Sequence, residues 1–84
     1  MITDLKETKD LMLSPDYKER FRAEYYQLKI RYKKLNDMCE KWDKGELNFT
    51  PTCPRYIYRI QLEKMAGYLS ILEERADIEG VKLK

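Results

Sequence analysis

Histidine is absent from this chain of 84 residues, and with it the commonest general base and the commonest metal ligand. Two cysteines, Cys39 and Cys53, are too few for a zinc site. Cys39 falls on a periodic apolar seam and no signal peptide precedes the chain, so both thiols are expected to be reduced and structural, in a cytoplasmic protein. No apolar run approaches the roughly 18 residues of a membrane-spanning helix. A glycine-rich phosphate loop is missing too. The adjacent acids Glu73 and Glu74 lie on a charged helix end and read as a solvated face, not as a facing catalytic pair. With no constellation for catalysis and none for a cofactor, the expected activity is binding.

Glycine and proline are scarce, at three each, and apart from Gly67 they stand outside two long periodic segments. In the first segment Phe21, Tyr25, Leu28, Tyr32, Leu35, Cys39 and Trp42 alternate gaps of four and three, an a/d heptad seam. Tyr58, Leu62, Met65, Leu69, Leu72 and Ala76 repeat the pattern in the second. The expected fold is all-α, one domain over residues 1–84: an antiparallel two-helix coiled-coil hairpin with a short N-terminal helix, oligomerising into a helical bundle.

Local signals set the expected boundaries. Ile2, Leu5 and Met12 share a face of a short helix over about 3–12, with Thr3 as its cap. Ser14 as a cap and Pro15 at the first helical position start a long helix over about 15–43. Gly45 suits a left-handed stop, a connection follows over 44–53, and Pro54 opens the second long helix, which runs to about 78 and is stopped by Gly80. The connection's apolar residues, Leu47 and Phe49 among them, are expected to close the hairpin at that end. Val81 to Lys84 reads as a mobile tail.

If Asp43 and Pro54 flank the turn, facing residues sum to about 97, which pairs Phe21 with Ala76 and Cys39 with Tyr58. Charges agree with that register. Glu73, Glu74, Asp77 and Glu79 fall beside Lys18, Arg20 and Arg22, while Arg55 and Arg59 fall beside Asp37, Glu40 and Asp43. Each exposed pair contributes only tenths of a kcal/mol.

Two features exceed what a hairpin needs. Ile57, Ile60, Tyr68, Ile71 and Ile78 add a second apolar stripe to the second helix. It is wider than one partner covers, and either the N-terminal helix buries it or the chain self-associates as a homo-oligomer. Basic residues also interleave with tyrosine: Tyr26, Lys29 and Lys33 on the first long helix, and Arg55, Tyr56 and Arg59 at the start of the second. Stacking plus phosphate pairing requires that combination, and the second cluster adds a helix N-terminus. The alternative is a solvated face paired with acids on the other helix. A pI near 8.5, with 17 bases against 15 acids, argues against duplex nucleic acid and for a small anionic nucleotide or a protein patch.

EYYQLKIRYKKLND in the first long helix, a short loop, and QLEKMAGYLSILEERAD in the second resemble a group of small phage-encoded helical-hairpin proteins named after a crAss-like phage gene. The similarity covers about Tyr17 to Ile78. The loop departs from the family's plainer acidic linker at Phe49, Pro51, Cys53 and Pro54. The resemblance implies a non-enzymatic phage accessory protein acting against host defence in the host cytoplasm. By architectural analogy with phage sponge proteins, it would hold a cyclic nucleotide immune signal between subunits, through Arg55, Tyr56 and Arg59 of one and Tyr26, Lys29 and Lys33 of another. The alternatives are a protein-protein inhibitor of a host defence complex, of anti-CRISPR type, and a structural or scaffold component.

Overall fold

The computed structural model describes residues 2–83, which form helices and no strands. A 3-10 turn, Leu5–Thr8, runs into a one-turn helix, α1 (Lys9–Met12), followed by two long helices, α2 (Tyr17–Asp43) and α3 (Arg55–Glu79). α2 and α3 lie antiparallel in a rod of 43 × 24 × 19 Å. Among the described residues no helix is long and apolar enough to cross a membrane.

The heptad seams meet as their spacing requires. Phe21, Tyr25, Leu72 and Ala76 are buried together at the open end of the hairpin, and at the turn end Trp42 meets Tyr58 edge to face at 5.9 Å. Between them Leu28, Tyr32, Leu35, Leu62, Met65 and Leu69 are only half-buried, because two helices cannot enclose a seam from every side. Cys39 is buried and Cys53 half-buried, and both are free thiols.

Helix ends follow hydrogen-bond chemistry, which moves several expected boundaries. Asp4, not Thr3, caps the N-terminal turn by accepting from Lys6 N–H at 3.0 Å. Asp16 caps α2 by accepting from Lys18 N–H at 2.9 Å, so the helix begins at Tyr17 and not at Pro15. Ser14 acts one step earlier, accepting from Asp16 N–H at 3.1 Å. Gly45, at φ 72°, ends α2: Glu46 N–H donates to Lys41 C=O at 2.8 Å and Gly45 N–H to Trp42 C=O at 2.9 Å. Gly80, at φ 69°, is the expected stop of α3 and takes the same left-handed conformation after Glu79.

Three expectations are overturned. The C-terminal segment is no free tail through Leu83: Val81 is buried in the core, its N–H donates to Ala76 C=O at 2.8 Å, and Leu83 packs beside it. Lys84 lies outside the described residues. The cations at that end bond to backbone carbonyls in place of the acids of α3: Arg22 donates to Lys82 C=O at 2.6 Å and Lys18 to Gly80 C=O at 3.4 Å, while Arg20 donates to Ser14 C=O at 2.7 Å. Of the two ways offered for covering the isoleucine stripe, burial under the N-terminal segment is not the one seen: that segment packs on α2 and does not approach α3 among the described residues. Thr8, fully buried, donates to Leu5 C=O at 2.7 Å and accepts from Gln27 Nε2 at 3.0 Å, which fixes the segment to the outer face of α2. At the turn end Phe49 is 55% exposed, so Trp42 and Tyr58, not the loop's phenylalanine, close the hairpin.

Candidate ligand groove

Docking the N-terminal segment on α2 creates a groove. Ile2 and Thr3 form one wall, Tyr26 and Ile30 the apolar floor, and Lys29, Lys33 and Lys34 with Asp37 the rim. Its volume is about 450 Å³, within the range of small-molecule sites. Past Lys34 and Asp37 it meets a second depression of about 400 Å³, bounded by Met38, Lys41 and the connection residues Leu47 and Phe49. The two run along the same side of α2.

The rim is cationic over an apolar floor. Lys33 forms a loose ion pair with Asp37, 3.8 Å apart and exposed, of little energetic weight. Lys29 and Lys34 form no ion pair among the described residues. Lys29 Nζ instead lies 5.6 Å from the centroid of the Tyr25 ring, and Tyr25 stands edge-on to Tyr26 at 5.4 Å. Tyr25 itself faces the hairpin interior, donating to Glu73 Oε2 at 2.9 Å. Burial, then that acceptor, pushes its phenol up to about 12, so it stays neutral and serves as a fixed support for Lys29. An aromatic and aliphatic floor below mobile ammonium groups suits a ligand with a flat face and negative charge.

The structure brings Tyr26, Lys29 and Lys33 together in this groove and leaves Arg55, Tyr56 and Arg59 elsewhere, at the turn end of α3. Arg55 forks onto Asp43, with Nε 3.0 Å from Oδ1 and a terminal nitrogen 3.1 Å from Oδ2. Those hydrogen bonds hold the Asp43 carboxyl below its usual range and raise the guanidinium. Arg59 reaches Glu63 on its own helix at 3.5 Å, not Asp37 or Glu40, and Tyr56 is exposed. The first turn of α3 carries no side-chain cap on Pro54. Within one chain the two clusters sit on different helices and do not converge.

The groove also takes in Ile2 and Thr3 as walls, together with Ile30, Lys34 and Asp37, none of which was among the expected site residues. The readable signal was Ile30 and Lys34 four apart, the spacing of one helical face. The walls had none, because they depend on where the N-terminal segment docks.

Fold and groove define a class, a small helical hairpin with a basic, aromatic-floored groove and no cluster of metal ligands among the described residues. More narrowly, the chain belongs to the Sequestin family, whose model matches residues 15–78. That span takes in α2, the connection and all of α3 but its last residue, and leaves out the N-terminal wall of the groove. No curated protein and no solved structure matches the chain.

Proposed function

We propose that the protein is a non-enzymatic, phage-encoded sequestering factor that antagonises host defence by holding a small anionic nucleotide, a cyclic nucleotide signal being the specific candidate. The observation that carries this reading is the groove, in which Lys29, Lys33 and Lys34 rim the Tyr26 and Ile30 floor. The base stacks on the floor while the phosphates meet the lysines through charge-assisted contacts. The family's name, Sequestin, is consistent with a holding role. Arg55, Tyr56 and Arg59 then contribute only from another copy, and Arg55 only by exchanging Asp43 for a phosphate.

Sequestration differs from turnover in its product. After incubation with the chain and denaturation, a cyclic di- or trinucleotide is recovered intact, while its free concentration before denaturation falls in proportion to added protein. Recovery of a cleaved nucleotide would replace this reading with an enzymatic one.

A further inference from the structure

The face of α3 that α2 leaves bare carries a second heptad. Ile60, Lys64, Gly67, Ile71, Glu74 and Ile78 repeat the gaps four, three, four, three and four, and all six are exposed. Residues of the inner seam, Tyr58 to Ala76, are half or fully buried in the same helix. Exposure reaches 57% at Ile71 and 78% at Ile78. The N-terminal segment lies against α2, so nothing within the described chain covers this face. At its centre Gly67 has nothing within 4 Å of the position a Cβ would take. A mid-helix glycine weakens a helix, and packing inside the chain gives no reason for it.

We propose that this face joins two copies of the chain in an antiparallel dimer with two-fold symmetry. The pattern complements itself in that orientation. With facing residue numbers summing to about 138, Ile60 meets Ile78 of the second copy, Lys64 meets Glu74, and Gly67 meets Ile71. The two-fold makes each contact twice. Opposite charges face each other, and a bulky side chain enters the gap above a glycine. The parallel alignment sets Lys64 against Lys64, Glu74 against Glu74 and two glycines against one another. A second copy therefore satisfies both the charge and the size pattern, and only in the antiparallel sense. Because the groove lies where the N-terminal segment meets α2, the dimer leaves one open groove on each subunit.

Sedimentation equilibrium of the full chain without nucleotide tests the interface separately from ligand binding. The expected mass is twice 10.2 kDa. Ile71→Asp weakens association on the order of a hundredfold, and circular dichroism reports whether its helices persist. Lys64→Glu, a surface change that spares the fold, weakens it roughly tenfold by setting two like-charged pairs in the seam. Adding Glu74→Lys restores association. A wild-type chain that stays monomeric at about 100 µM would overturn the proposal. So would Ile71→Asp associating as tightly as wild type with its helices intact, or the double charge swap binding no better than Lys64→Glu alone.

Discussion

Tyr25 joins three requirements at one point: its ring fills the core beside Phe21 and Leu72, its hydroxyl ties α2 to Glu73 of α3, and its face supports Lys29. Burial and the Glu73 acceptor raise its phenol above the ordinary value near 10, to about 12. The folded value exceeds the unfolded one, so its contribution is complete below about pH 10 and is lost as pH rises towards 12. Urea titrations between pH 9 and 11 should show stability falling in the wild type, with Tyr25→Phe removing this group's part of the slope. Leu72, 1% exposed, is the deeper anchor, and Leu72→Ala should cost about 2–5 kcal/mol in chemical denaturation. Both residues were legible in the sequence because the heptad places them on the seam. The partners of Lys18 and Arg22 were not, since they donate to carbonyls of a C-terminal segment whose docking depends on Val81, one apolar residue beyond the periodic pattern.

Each element is bounded by a device that a short sequence window can show. The left-handed glycines at positions 45 and 80 were readable as stops, but Gly80 does more, turning the chain so that Val81 reaches the core. Gly80→Ala should therefore cost about 1–2 kcal/mol, measured by thermal unfolding at fixed protein concentration. At the other end of α3 the Arg55–Asp43 fork clamps the hairpin turn. The lowered Asp43 carboxyl makes this clamp present at neutral pH and lost as pH falls through the folded-state value. Protection factors in the first turn of α3, corrected for the intrinsic pH dependence of amide exchange, should accordingly fall on acidification in the wild type, and should be already low and less pH-sensitive in Arg55→Gln. The N-terminal segment was the least legible element. Its composition indicated a short helix, yet Thr8 and Gln27, two polar residues outside any apolar pattern, decide which helix it joins. Gln27→Ala should loosen the segment, seen as faster exchange over Leu5–Met12, and widen the groove.

For the whole molecule, three faces need partners and two of them are satisfied within the chain. The inner seams of α2 and α3 close on each other, the N-terminal segment takes the outer face of α2, and the outer face of α3 stays open. That division leaves the lysines of α2 beside an apolar floor, the arrangement on which the sequestering reading rests. Its most direct test is titration calorimetry of the full chain with a panel of cyclic di- and trinucleotides at low salt. One member should give saturable heat, weakened tenfold or more in Lys29→Glu and again in Lys33→Glu. No heat from any member, or heat unchanged in both variants, would contradict the account.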